Sequence, residues 1–61
     1  MITIQAIGRG YVECERTYDV SDYSPLFVDA FLYATMPEWA DTVRVLSEDG
    51  ELLHQEPIDN R

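Results

Sequence analysis

Lysine is absent from this 61-residue chain, whose positive charge comes from four Arg against twelve Asp and Glu, for a formal net charge of -8 at pH 7. Dense carboxylates repel nucleic acids, anionic lipids and acidic substrates, and they attract proteins with cationic working surfaces, chiefly those that hold DNA or RNA. Because Arg suits bidentate pairing with carboxylates, we expect the four Arg to be internal braces and the outer charge to be almost purely negative.

Cysteine is scarce, since Cys14 is the one thiol and cannot form an internal disulfide. A single cysteine fits a reducing cytosol. The first residues, 1 to 5, lack the basic start and apolar run of a signal peptide. The longest nearly apolar stretch, Pro25 to Pro37, is far shorter than the roughly 20 residues that span a bilayer. We therefore expect a cytoplasmic protein without membrane contact.

Metal-ligand clusters and catalytic motifs are also lacking. Cys14 and His54 lie forty residues apart in the chain, which excludes a structural zinc site. The acidic segment from Ser47 to Glu51 lacks the alternation of an EF-hand loop, so a hairpin turn is the favoured interpretation and a calcium site the alternative. Cys14 alternates in phase with Val12 and should face the core, where a thiol is usually inert. We predict no enzyme, no cofactor and no metal.

Two segments near the amino terminus alternate with a period of two. Ile2 to Ile7 predicts a strand, Gly8-Arg9-Gly10 a turn, and Tyr11 to Thr17 a second strand, so together they form a hairpin. In the second strand, Val12 and Cys14 share one face. Glu13 and Glu15 share the other face with Tyr11 and Thr17, about 6.6 Å apart at the usual strand rise.

A helix is predicted from Ser24-Pro25 to about Met36, because Ser is a favoured N-cap, Pro suits the first helical position and Pro37 ends the helix. Helical spacing places one apolar stripe toward the sheet and leaves a second uncovered. Pro37 to Asp41, with Trp39 at its centre, would cover the second stripe, or another subunit would. The first stripe contains Leu26, Phe27, Ala30, Phe31 and Ala34, and the second contains Val28, Leu32 and Met36.

The last part of the chain predicts a second hairpin, with strands from Thr42 to Ser47 and from Leu52 to Pro57. A three-residue turn, Glu48-Asp49-Gly50, is preferred because a two-residue turn would place Glu48 directly opposite Glu51. That register places Val43, Val45 and Leu53 on one face. The other face then receives Arg44, Leu46, Leu52 and His54, with Leu46 and Leu52 partly exposed.

The fold class is therefore α+β, with the order ββαββ, in one domain spanning residues 1 to 61. The simplest architecture is a four-stranded antiparallel sheet with one helix packed on one face. The opposite sheet face should be polar and acidic, and the final residues, 59 to 61, should be frayed.

The acidic residues fall into rows that we predict to contact a partner. Duplex DNA presents one charge per about 1.7 Å of axis, so two or three acidic rows on a rigid scaffold approximate a short stretch of its backbone. The partner is then a basic DNA-binding protein surface, and the chain binds no nucleic acid itself. The predicted contacts are Glu13, Glu15, Asp19 and Asp22 along the second strand and its exit, Glu48, Asp49 and Glu51 at the hairpin tip, and Glu38 and Asp41 beside Trp39.

In length, lack of Lys, excess of acid and compact α+β order, the chain resembles the small phage-encoded anti-CRISPR proteins that imitate DNA. The resemblance is one of type, because those proteins share no diagnostic motif. It implies an inhibitor in the cytoplasm of a bacterial host. Such an inhibitor would block the PAM or duplex-recognition surface of a CRISPR-Cas complex, for instance a Cascade-type complex, or of a related defence nuclease.

The alternative is a non-enzymatic interaction module, such as an antitoxin-like or adaptor subunit, with a merely solvated acidic surface. Such a module would form a homodimer through Val28, Leu32 and Met36. The two hypotheses differ in salt response, because a complex of opposite charges weakens as salt rises whereas an apolar dimer is largely insensitive to salt.

Overall fold

The computed structural model describes residues 1–58, which form one four-stranded antiparallel sheet and one helix. The sheet order is β2-β1-β3-β4, so β2 and β4 are the edge strands. The predicted ββαββ order, antiparallel sheet and single helix are confirmed for these residues. The elements are β1 at Ile2–Gly8, β2 at Tyr11–Tyr18, α1 at Pro25–Thr35, β3 at Thr42–Leu46 and β4 at Leu52–Pro57. No helix within residues 1–58 is long and apolar enough to cross a membrane.

Helix α1 begins and ends at the predicted signals. The Ser24 hydroxyl accepts a hydrogen bond from the Leu26 N–H at 3.3 Å, and Pro25 occupies the first helical position. At the other end Met36 adopts a left-handed conformation, with φ of 46°, and its N–H donates to the Leu32 carbonyl. Local capping chemistry therefore fixes both ends of the helix.

The core lies between α1 and one face of the sheet. Val28 and Phe31 are 1% and 0% exposed, and they pack on β1 and β3. The stripe predicted to face the sheet is wrong in part, because Leu26 is 75% exposed and Ala30 and Ala34 are exposed as well. The helix has apolar residues on nearly all sides, so the spacing of these residues does not define which side faces the sheet. The sheet residues of the core are Ile2, Ile4 and Ala6 of β1 and Val43 and Val45 of β3.

The second predicted stripe is split between the core and the surface. Val28 is buried under the helix, Leu32 is half-buried and Met36 is exposed. Val28 therefore cannot contribute to the proposed dimer contact. In the segment predicted to cover the second stripe, Pro37 and Ala40 are buried, whereas Trp39 projects outward and is 64% exposed.

A β-bulge interrupts β2. Ala6 pairs with Cys14 and Ile7 pairs with Val12, so Glu13 is an extra residue on β2. Neighbouring β1 residues point to opposite faces, so Val12 and Cys14 do as well, and the prediction that they share a face is wrong. Cys14 is half-buried against the core, as predicted.

The β3–β4 hairpin has the predicted three-residue turn. The Ser47 N–H donates to the Glu51 carbonyl at 2.8 Å, and Gly50 has the left-handed φ of 86° that this turn requires. Beyond the turn, Leu46 pairs with Leu52 but Val45 pairs with His54, which leaves Leu53 as an extra residue. The predicted face of Leu53 is therefore wrong, and His54 takes its place on the helix side of the sheet.

The open face of the sheet is not acidic, contrary to the prediction, and its polar side chains lie beside the exposed Val12 and Leu52. Cross-strand contacts on it join Gln5 to Glu15 at 3.2 Å and Arg44 to Gln55 at 3.4 Å. By register, Glu15 and Arg44 are its charged residues within residues 1–58. The remaining carboxylates within residues 1–58 therefore lie at the ends and edges of the sheet, except for Asp29 on the helix.

Candidate acidic interface

Most of the predicted contact residues gather at one end of the sheet, where β1 starts and both β2 and β3 end. The β2 exit and the β3–β4 turn meet there, because Ile2 pairs with Tyr18 and Thr3 pairs with Leu46. We call this group the acidic end, and it consists of Asp19, Asp22, Glu48, Asp49 and Glu51. Two rows that are distant in sequence thus occupy the same end of the fold.

A cleft of about 580 Å³ opens at the acidic end. Asp22 lies on one side of it, and Glu48 and Asp49 lie on the other, so residues more than twenty positions apart in the chain line a common cavity. The lining as a whole comprises Met1, Ile2, Ser21, Asp22, Tyr23, Ser47, Glu48, Asp49 and Leu53.

Backbone and hydroxyl hydrogen bonds hold the acidic turn in place. The Ser47 hydroxyl accepts from the Glu51 N–H at 3.0 Å, and the Gly50 N–H donates to the Ser47 carbonyl at 3.0 Å. These bonds leave the side chains of Glu48, Asp49 and Glu51 exposed on a fixed turn. Ser47 is a positioning residue that the sequence analysis did not identify. A Ser directly before a turn is nevertheless a signal for a bond between its hydroxyl and the turn backbone.

The acidic end is not neutralised by the arginines. Within residues 1–58, no salt bridge involves any carboxylate of the acidic end. Arg9 lies over the Trp39 ring, 5.4 Å from its centroid at the opposite end of the sheet, and Arg44 contacts Gln55 on the open face. Arg16 is exposed on β2, where it pairs with Ile4. The prediction that the arginines are internal braces for carboxylates is therefore wrong for the three within residues 1–58. Arg61 lies outside the described residues. The negative potential of the acidic end is therefore available to a cationic partner.

The other predicted contacts lie elsewhere. Glu15 is on the open sheet face, and Glu38 and Asp41 belong to the segment between α1 and β3 at the opposite end. Both carboxylate oxygens of Glu13 accept from the Trp39 N–H, at 3.2 and 3.4 Å. Glu13 therefore holds the segment between α1 and β3, while Glu15 accepts a hydrogen bond from Gln5 on the open face. The two carboxylates do not lie side by side on one sheet face, as strict alternation predicts.

Close packing also holds Trp39. A Cβ at Gly8 would lie 2.2 Å from the Trp39 carbonyl oxygen, so glycine is required at this approach. The Asp41 N–H donates to the Ile7 carbonyl at 2.9 Å and extends the pairing of this segment with β1. Together with Glu13, these contacts explain why the Trp39 backbone is fixed while its side chain projects into solvent.

Tyr23 connects the cleft to a small polar cluster on the helix side of β4. Its ring stacks on His54 with centroids 5.1 Å apart, and His54 Nε2 lies 3.2 Å from a Glu56 carboxylate oxygen. Burial raises the pKa of the Tyr23 phenol above 10.0, and the nearby charges of Glu56 and Asp29 raise it further. Cys14 and His54 lie on opposite edge strands, roughly 14 Å apart at the usual strand spacing.

The raised pKa of Tyr23 predicts a loss of stability in alkali. A phenol whose pKa is higher in the folded state stabilises the fold fully below pH 10 and loses that contribution as pH rises through the folded-state pKa. We expect the thermal midpoint to fall more steeply above pH 10 in the native chain than in Tyr23→Phe. Thermal melts followed by circular dichroism between about pH 9 and 11 measure this difference. The control is Tyr33→Phe on the exposed helix face, and an equal change of slope in it would contradict the assignment.

The candidate interface is thus a set of exposed carboxylates around a partly apolar cleft, with no arginine paired to them within residues 1–58. No family model, curated protein or solved structure matches this chain.

Proposed function

We propose that this chain is a non-enzymatic inhibitor that imitates DNA and binds, through its acidic end, the DNA-binding surface of a cationic protein. The observation that supports this proposal most directly is the convergence of Asp22 with Glu48 and Asp49 on one cleft. Carboxylates carried on an ordered backbone, with no arginine paired to them within residues 1–58, attract the same Lys and Arg that hold phosphates.

Rigidity supports the same conclusion. The β3–β4 turn is fixed by bonds from Ser47 and Gly50, and the β2 exit is anchored where Tyr23 packs on the core and on His54. A backbone that is already ordered loses less conformational entropy on binding. A fixed anionic surface therefore competes with DNA more effectively than a flexible acidic tail of equal charge.

Within this class, we propose as target the PAM or duplex-recognition surface of a bacterial CRISPR-Cas complex or related defence nuclease. The proposal follows from the resemblance in size, charge and fold order to DNA-imitating anti-CRISPR proteins. Such complexes hold an RNA–DNA heteroduplex in a positively charged channel and read the PAM on the DNA duplex. The acidic end would occupy that surface in the bacterial cytoplasm and exclude the duplex.

The second candidate is a dimerising interaction module, and the exposed side of the helix favours it. Leu26, Tyr33 and Met36 are 75%, 86% and 75% exposed. A dimer through this side would bury apolar surface that the monomer leaves in water. It would be detected as a doubled mass in solution that does not depend on salt concentration.

A binding assay distinguishes the two candidates. The immobilised chain is titrated with a purified Cascade-type complex at about 50 and about 300 mM salt, with and without a PAM-containing duplex. We expect at least about a tenfold loss of affinity at the higher salt and competition by the duplex. A duplex without the PAM is the control competitor. Salt-insensitive binding, simultaneous binding of chain and duplex, or no binding would contradict this target.

A further inference from the structure

The cleft at the acidic end combines two chemistries. Apolar groups from β1 and β4 line it together with the Tyr23 ring, while Asp22, Glu48 and Asp49 supply carboxylates. A purely ionic surface needs no apolar lining, and a purely apolar pocket would not be surrounded by acids. The apolar contributors are Met1, Ile2 and Leu53.

The β4 bulge creates part of this lining. Leu53 is the extra residue between Leu52 and His54, and it lines the cleft instead of facing the core with Val45. Bulges commonly re-aim a side chain next to functional sites. In the same place His54 stacks against one face of Tyr23 and fixes the ring at the cleft.

A long cationic side chain matches this combination. Arg and Lys bury an aliphatic stem along apolar surface while the charged head reaches polar groups. Arg matches better than Lys, because its planar guanidinium pairs with carboxylates in a bidentate manner. The cleft volume of about 580 Å³ is ample for the entry of one such side chain.

We infer that the cleft receives one arginine side chain from the DNA-binding surface of the partner protein. This inference rests on the proposed function, and it adds that affinity depends on one inserted side chain as well as on total charge. The stem lies against Leu53 and Tyr23, and the guanidinium pairs with the carboxylates of Asp22 and Asp49. An arginine that normally contacts DNA is thereby sequestered.

The test uses capped Gly-Arg-Gly, Gly-Lys-Gly and Gly-citrulline-Gly peptides, titrated into the isotopically labelled chain by NMR. We expect saturable, millimolar binding of the arginine peptide that shifts the amides of Asp22, Tyr23 and Asp49 but not that of Trp39. The lysine peptide should bind more weakly, and the citrulline peptide, which has the same shape without the charge, should not bind. Equal binding of all three, or shifts that include Trp39 equally, would overturn the inference.

A charge-neutral variant separates this inference from the proposed function. Ser21 is exposed and lines the cleft, so Ser21→Trp should obstruct it without changing the net charge. The matched control is Ala34→Trp on the exposed helix side, with circular dichroism to verify folding. We expect Ser21→Trp to abolish the peptide shifts and to weaken binding to the partner complex at least about tenfold, which converts to about 1.4 kcal/mol.

Each result affects one proposal at a time. If Ser21→Trp binds the partner complex as well as the native chain does, the arginine inference is wrong while the proposed function stands. If the arginine peptide binds and Ser21→Trp prevents it, but no DNA-competable complex forms with the Cascade-type protein, the cleft assignment stands and the proposed target is wrong.

Discussion

Replacement of Phe31 by Ala is expected to lower the free energy of unfolding by about 3–5 kcal/mol, the usual cost of truncating a buried Phe. Phe31 is 0% exposed and is the largest fully buried side chain of the core. A chain of 61 residues has a total stability of roughly 3–9 kcal/mol, so this loss approaches the whole. Urea unfolding followed by circular dichroism should show a much lower midpoint, or no folded baseline at all.

Tyr33→Ala is the matched control, because Tyr33 lies on the same helix and is 86% exposed. We expect its free energy of unfolding to change by no more than about 0.5 kcal/mol. The difference in stability between the two variants therefore shows which side of the helix is buried against the sheet. Similar losses in both variants would mean that the helix does not bury the side described above.

Local signals in the sequence predicted the ends of the elements well. Ser24 with Pro25 defines where the helix starts, and Gly50 in a left-handed conformation defines the three-residue turn. Each signal involves residues a few positions apart, so the chemistry is readable without knowledge of the tertiary structure.

The faces of the elements were harder to predict. The helix is apolar on nearly all sides, so the choice between Leu26 and Val28 as the buried residue depends on how the connections place it over the sheet. Both hairpins contain a bulge, at Glu13 and at Leu53. Strict alternation fails after a bulge, because one extra residue moves every following side chain to the opposite face.

The residue types of the candidate site were predictable from charge, whereas their grouping was not. Glu13 matches the other strand carboxylates in sequence, yet it binds the Trp39 N–H, 26 positions away in the chain. Asp22 and Glu48 reach the same cleft because β1 lies between β2 and β3 in the sheet. Long-range pairing of this kind has no local sequence signal. The residues that share the open face of the sheet are set by the same pairing of strands.

The two ends of the sheet consequently differ in character. One end presents the five carboxylates of the acidic end around a cleft, and the other presents Trp39 with Arg9 over its ring beside Glu13, Glu38 and Asp41. The larger negative charge of the acidic end would turn it toward a cationic partner before contact. On the proposed function, the position of a carboxylate would then affect binding as well as the net charge does.

Neutralising the cleft carboxylates in the triple variant Asp22→Asn, Glu48→Gln, Asp49→Asn is expected to weaken binding to the cationic partner about 10- to 100-fold. Each exposed ion pair contributes roughly 0.5–1 kcal/mol, and three of them together account for that range. The salt dependence of the remaining binding should also be shallower. Titration of the immobilised variant with the Cascade-type complex, at the two salt concentrations used for the native chain, measures both effects.

The matched control is the triple variant Glu15→Gln, Glu38→Gln, Asp41→Asn, which changes the net charge equally but alters the open sheet face and the opposite end of the sheet. We expect less than about a threefold loss of affinity from it, because at physiological salt charges beyond roughly 8 Å from the contact are largely screened. Thermal melts of both variants verify that each is folded. Equal losses in the two variants would mean that the partner responds to net charge alone, and a larger loss in the control would place the contact surface away from the acidic end.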